Sequence, residues 1–194
     1  AHAFDELAPR FTDHFHVIAL TRRGFGESDK PSSGYDIPRL TEDVRGFLDS
    51  QRIDRANFVC HSAGGDEVTL FASTYPQRTG KLVYLDAAYD RSGVHVLESS
   101  DPMGGDVPNS VEQALHWKGM DEFKPDFTQL KGPVLAFYAT YPASHWAVNA
   151  ETPAELAADA NRFMEAHIRP YQQRNISQFK KDVPAARVIV LDDT

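Results

Sequence analysis

Asn57-Phe58-Val59-Cys60-His61-Ser62-Ala63-Gly64-Gly65 carries a short apolar run into a small-x-Ser-x-Gly turn, and an acidic, then apolar, segment leaves it. This is the pattern of a nucleophile elbow, a serine held on a tight strand-to-helix turn. For its hydroxyl to stand clear of a sheet, Ser62 must take a strained backbone conformation, which crowds the residues two before and two after it. Gly64 meets that need. Cys60 meets it in part, because a thiol has to be accommodated. The backbone N–H of Ala63 is offered to a developing oxyanion, aided by the positive end of the helix that begins here. Taken alone, the five-residue match also fits an ordinary turn.

The 194 residues are 41% hydrophobic and 25% charged, which suits one globular domain with a real core. A formal charge of −8 argues against nucleic acid or an anionic membrane as the main partner and favours an uncharged or cationic small molecule. The single cysteine excludes an internal disulfide framework. No apolar run reaches the roughly 18 residues that span a bilayer. Composition leaves the compartment and the oligomeric state open.

Outward from the elbow, hydrophobic periodicity orders the rest. Ala3 to Phe11 reads as a helix end, and His16 to Leu20 as a short buried strand followed by a glycine-rich loop to Pro31. That loop has neither of the glycine spacings that cradle phosphate, so it reads as structural. Ile37 to Gln51 is an amphipathic helix with Leu40, Val44, Phe47 and Leu48 on one face. Arg55 to His61 is a strand. Beyond the elbow, Asp66 and Glu67 favour the dipole of a first helical turn, Val68, Phe71, Ala72 and Tyr75 form a buried stripe, and Pro76 stops the helix. Lys81 to Ala87 is a near-continuously apolar strand, as in a parallel sheet covered on both faces. Residues 91–131 read as a lid-like insertion with one helical patch at Val111 to Trp117. Pro133 to Thr140 resumes the sheet, and Thr152-Pro153-Ala154-Glu155 is a capping box opening a long helix that Pro170 should kink or end. Ala186 to Leu191 is a last strand. The whole is α/β with a mainly parallel sheet, and Ser62, Asp86 and the insertion all fall beyond the carboxyl ends of strands.

In this arrangement the chain resembles the α/β-hydrolase superfamily. Thr21-Arg22-Arg23-Gly24-Phe25-Gly26-Glu27-Ser28 is similar to the family's D-x-R-G-x-G-x-S turn, with Thr21 in place of the usual acid. Cys60-His61-Ser62-Ala63-Gly64-Gly65 is similar to its G-H-S-M-G-G elbow. The resemblance implies a three-layer fold that here lacks its first three strands and its end. The chain then reads as one partial domain over 1–194: an N-terminal part with the elbow (1–90), the insertion (91–131) and a C-terminal part of the core (132–194). Loss of the family's third strand would leave a gap beside two apolar strands, with backbone groups unpaired.

A serine hydroxyl needs a base to take its proton, and the base needs an acid to orient it. Ser62 is the expected nucleophile. Among the eight histidines, His61 reads as packing, His14 and His16 lie at a strand start on the wrong side, and His167 reads as core. His95, His116 and His145 lie in or near the insertion, where they could touch substrate, and read first as solvated or structural. The resemblance places the base after Asp192-Asp193-Thr194, and those two aspartates read as turn residues. It implies an acid after the family's sixth or seventh strand; residues 139–146 hold no carboxylate, which leaves Asp86, with Asp90 as the alternative. Asp86 also fits a strand-end residue capping backbone N–H groups. No cluster has metal-ligand spacing, and no cofactor is implied. Trp117, Trp146, Phe123, Phe127 and Tyr141 could line an apolar pocket.

The expected activity is cofactor-independent serine hydrolysis of an ester or related acyl bond in a small molecule. A serine at the elbow speaks against the chemistry of haloalkane dehalogenases and epoxide hydrolases, where the family uses a carboxylate. The rival reading is a noncatalytic binding protein on the same scaffold. Expressed alone, this stretch should be unstable and inactive; a cooperative melt accompanied by esterase turnover is the outcome that contradicts it.

Overall fold

In the computed structural model, which describes residues 4–104, 107–140 and 147–192, four strands form one parallel sheet in the order β1-β2-β3-β4. They are β1 (Ala56–His61), β2 (Thr79–Leu85), β3 (Val134–Thr140) and β4 (Arg187–Asp192). Each neighbouring pair is parallel, in the registers Cys60↔Tyr84, Tyr84↔Ala136 and Ala136↔Val188. Helix α1 (Ile37–Ser50) precedes β1, and α2 (Gly64–Thr74) crosses from β1 to β2. Two helices, α3 (Val94–Glu98) and α4 (Val111–Asp121), lie between β2 and β3, while α5 (Ala154–Phe163) and α6 (Arg169–Asp182) lead to β4.

Alternation along the strands decides which face is core. Leu82 and Tyr84 of β2 and Val134, Ala136 and Tyr138 of β3 are buried and pack with Val68 and Ala72 of α2 and Phe179 of α6. The aromatic rings of Tyr84, Tyr138, Phe127 and Phe179 meet edge to face at centroid separations of 5.0–6.4 Å, the preferred geometry for such pairs. The intervening side chains Val83, Leu85, Leu135 and Phe137 are only half-buried, and Val59 is 45% exposed. Coverage of the two faces is therefore unequal, although the strands are apolar on both.

Several local expectations are corrected. Residues 16–20 form no ladder and are exposed, Ile18 and Leu20 by 40% and 41%. An apolar run becomes a strand only where a neighbour satisfies its backbone groups, and among the described residues β1 is not paired to this segment. The capping box does not form: Pro153 is the N-cap, and the Thr152 hydroxyl accepts the Asn149 N–H instead. Pro170 does not end the long helix. A π-turn, Met164–Ile168, leads into α6 with the proline in its first turn, where a missing N–H costs nothing. His167 lies exposed rather than in the core, as do His14, His16 and His61.

The insertion is more ordered than its composition suggests. Helix α4 packs Met120 on Ile37 and Leu40 of α1, with Trp117 and Phe123 at the margin. Phe127 sits in the main core instead of a pocket. Tyr141, His145 and Trp146 lie outside the described residues.

Crowding at the elbow falls one residue later than the motif implies. A Cβ on Gly64 would stand 3.8 Å from Cys60 Cβ, an ordinary contact, whereas one on Gly65 would overlap the Ala87 carbonyl. Gly65→Ala should therefore cost about 1–3 kcal/mol through overpacking, and Gly64→Ala should stay within about 0.5 kcal/mol. Urea denaturation of the two variants measures the contrast; equal losses would contradict this account.

Candidate functional site

At the carboxyl ends of β1 and β2 the backbone takes two sharp turns. Ser62 has φ 50° and Asp86 φ 48°, two of only three non-glycine residues with positive φ among those described. Left-handed conformations cost side-chain-bearing residues energy and persist where the surroundings impose them. Here the Ser62 N–H donates to Leu85 O at 3.3 Å and the Asp86 N–H to Phe137 O at 2.9 Å, tying each turn to the next strand. Both residues open on one cleft of about 590 Å³ that Ala63, the N-cap residue of α2, also lines.

The Asp86 carboxylate is held from two sides. Its Oδ1 accepts from the Tyr89 hydroxyl at 2.7 Å and from the Ala139 N–H at 3.2 Å, so it caps the end of β3 while facing the cleft. Tyr89 in turn stacks on Tyr171 of α6. Asp90 is occupied otherwise: its carboxylate closes a turn on the Ser92 N–H and hydroxyl, and it does not line the cleft. Position favours Asp86 of the two.

The far wall comes from the insertion and the glycine-rich loop. His95 is held through Nδ1 by Asp121 Oδ1 at 2.9 Å and stacks on Trp117 at 4.7 Å. His116 is 3% exposed, with Nε2 against the Arg22 guanidinium and 3.8 Å from Glu67. Burial lowers its pKa, so the ring is neutral and accepts from Arg22. Trp117, a candidate for a pocket wall, lines the cleft, and Phe25 of the loop does too. The loop itself is braced by Arg23, which forms a two-pronged pair with Asp43 of α1 at 2.6 and 2.7 Å. Cys60 is buried with its thiol toward Val83 O at 3.5 Å, and burial raises its pKa, which keeps it protonated and inert.

Asp66 and Glu67 depart most from expectation. Helix-dipole carboxylates are normally solvated, yet these are only 2% and 4% exposed. Glu67 pairs with Arg22 at 2.6 Å, and Asp66 with Arg91 at 3.4 Å. Both arginines also line the cleft. Sequence reading missed them because each lies in a polar loop far from its partner in the chain. One signal was available: two adjacent acids open a helix that must pack closely on the sheet, so they require partners. Among the described residues no group of three or more metal-ligating side chains assembles, and no helix is long and apolar enough to cross a membrane.

Burial pushes the Asp66 carboxyl up to about 7, against the opposing pull of Arg91. A folded-state value above the unfolded one, near 3.9, means that Asp66 contributes stability at low pH and loses it as pH rises from about 4 through 7. Asp66→Asn should match the parent near pH 4 and exceed it by on the order of a few kcal/mol above pH 7. Chemical denaturation across that range measures the difference; a gap that fails to widen with pH would contradict the assignment.

Comparison with known proteins places this geometry in context. A family model described as alpha/beta hydrolase fold matches residues 1–185. The chain is 34% identical over 83 residues to 2-(acetamidomethylene)succinate hydrolase of Mesorhizobium japonicum, covering 43% of this chain and 30% of that protein. It is 38% identical over 79 residues to non-heme chloroperoxidase of Streptomyces lividans, covering 40% and 29% respectively. The matched stretches thus span less than a third of these relatives' own lengths. Among solved structures, the enol-lactonase from Burkholderia xenovorans LB400 superposes with a TM-score of 0.68 at 21% identity, over 98% of this chain and 77% of that one. The structure of E-2-(acetamidomethylene)succinate hydrolase gives 0.66 at 18%, over 98% and 78%. These likenesses carry the fold, and with the family match they establish that the chain belongs to the alpha/beta hydrolase fold family.

Proposed function

We propose that the protein is a cofactor-independent serine hydrolase that cleaves an ester or related acyl bond in a small molecule. One observation carries the reading: two strained residues, Ser62 and Asp86, end adjacent parallel strands and open on the same cleft. Ser62 Oγ attacks the acyl carbon while an imidazole takes its proton. The Ala63 N–H, at the positive end of α2, stabilises the oxyanion. Collapse expels the leaving group with that proton, and water then releases the acyl group from Ser62 by the same steps.

Asp86 orients the imidazole and stabilises its charged form. The family's order of elements carries the base after the last strand, so we assign it to a histidine beyond Thr194; His95, paired with Asp121, and His116, set against Arg22 and Glu67, are given no part in proton transfer. A hydroxyl nucleophile suits acyl transfer, and the similarity to 2-(acetamidomethylene)succinate hydrolase supports hydrolytic chemistry in general.

Labelling with a fluorophosphonate probe tests the nucleophile directly. The full-length protein should be labelled and Ser62→Ala should not; absence of labelling in a folded protein would leave a binding scaffold as the better account. Asp86→Asn should lower kcat by about 10⁴-fold with little change in KM. Unaltered kcat in that variant would remove Asp86 from the mechanism.

A further inference from the structure

We propose that the compound cleaved in this cleft carries a carboxylate near its scissile acyl group and that Arg22 and Arg91 bind it; this deepens, and rests on, the acyl-transfer reading above. The chain is acidic overall, with a net charge of −8, yet two guanidinium groups line the cleft, and among the described residues Asp86 is the one carboxylate beside them in its wall. Asp66 and Glu67 stand behind that wall. Each holds its arginine through a single nitrogen: Arg22 Nη2, which also meets His116 Nε2, forms an ion pair with Glu67 Oε1 at 2.6 Å, and Arg91 Nη1 reaches Asp66 and the Ala87 carbonyl. Arg22 Nε is buried without a hydrogen-bond partner among the described residues. A guanidinium offers five N–H donors in a planar fork, and a carboxylate is the group whose two oxygens match it.

Energetics favour a role in binding over one in stability. Burying an ion pair costs desolvation, and an apolar wall of the same volume is often as stable or more so. Two such pairs side by side at a cleft therefore point to a ligand. Their charges are also incompletely balanced: burial keeps a large part of the Asp66 population protonated near neutral pH, and the His116 imidazole beside Arg22 is neutral. The guanidinium groups lie 5.8 Å from the Phe25 ring centre and 5.4 Å from that of Tyr89. These contacts fix the forks before a ligand arrives, which lowers the ordering cost of binding.

Three matched esters test the proposal on the full-length protein. Benzyl pentanoate is neutral, benzyl hydrogen glutarate carries a carboxylate on the acyl side, and 4-carboxybenzyl pentanoate carries it on the leaving group. One of the two acids should be preferred over the neutral ester by about 10- to 100-fold in kcat/KM, and which one it is locates the anion. The preference should fall toward parity in the paired variants Arg22→Met with Glu67→Gln and Arg91→Met with Asp66→Asn, each of which removes a cation together with its buried partner. A ratio of two esters in the same variant does not depend on how much of it folds. Parity for both acids in the parent, or a preference that survives both paired variants, overturns the proposal. Calorimetric titration with glutarate separates the two readings. Glutarate bound by the parent and not by the paired variants, with no turnover and no labelling of Ser62, sustains the anion site and defeats the hydrolase reading. Labelling of Ser62 without glutarate binding or anion preference does the reverse.

Discussion

The close approach of Gly65 to the Ala87 carbonyl governs the site. It seats the first turn of α2 against the segment that leaves β2, with no room for a side chain between them. Once the helix is that near, Ser62 must turn through a left-handed conformation to enter it, and Asp86 does the same on leaving the neighbouring strand. The two acids of the first turn are then driven inward, and Arg91 and Arg22 are the charges that meet them. The cationic wall of the cleft thus follows from a steric fact at the same turn, where Arg91 donates to the very carbonyl that Gly65 abuts. It follows too that Ser62, Asp86 and the two guanidinium groups are positioned together, by the first turn of α2 and the segment packed against it.

Much of this was legible in the chain. Amphipathic spacing located α1, a Pro stop closed α2, and short apolar runs marked the four paired strands, because period and punctuation are local properties. The elbow was legible for the same reason: its serine, its small flanking residues and its strand all lie within nine positions. Ser62, Ala63 and Asp86 do meet at one cleft, as their places at strand ends implied. What stayed hidden depends on contacts remote in sequence. Residues 16–20 have the pattern of a strand but no partner, and pairing is not a property of the run itself. Asp66 and Glu67 read only as dipole partners because helix propensity says nothing about how near a sheet will stand. The Thr152 box failed because Asn149 offered the hydroxyl a closer partner.

The insertion shows how composition can mislead about order. Rich in glycine, proline and polar residues, it nonetheless builds α3 and α4 and fastens the latter to α1 through Met120. Its aromatic and histidine side chains are then spent in pairs, His95 with Asp121 and Trp117, His116 with Arg22 and Glu67. A wall assembled from such mutual contacts is shaped before any ligand enters, and preformed polar walls are what give small-molecule sites their selectivity.

The π-turn at Met164–Ile168 has a meaning that its length conceals. One residue inserted into a helical ladder advances everything after it by roughly a quarter of a revolution. Phe163, just before the turn, and Met164 and Ile168 at its two ends form one cluster with Leu97 of the insertion against it. Ile168 reaches the cleft as well, and after the turn Tyr171 and Gln172 line it, with Gln172 tying α6 to Ala139 at the end of β3. The turn works as a phase shifter, letting one continuous rod present one side to the insertion and another to the chemistry. In other chains of this architecture, the residue that forms the corresponding wall is then set by angular position around the rod, so that loss or gain of a single amino acid upstream would exchange the wall's composition while every strand stayed in place.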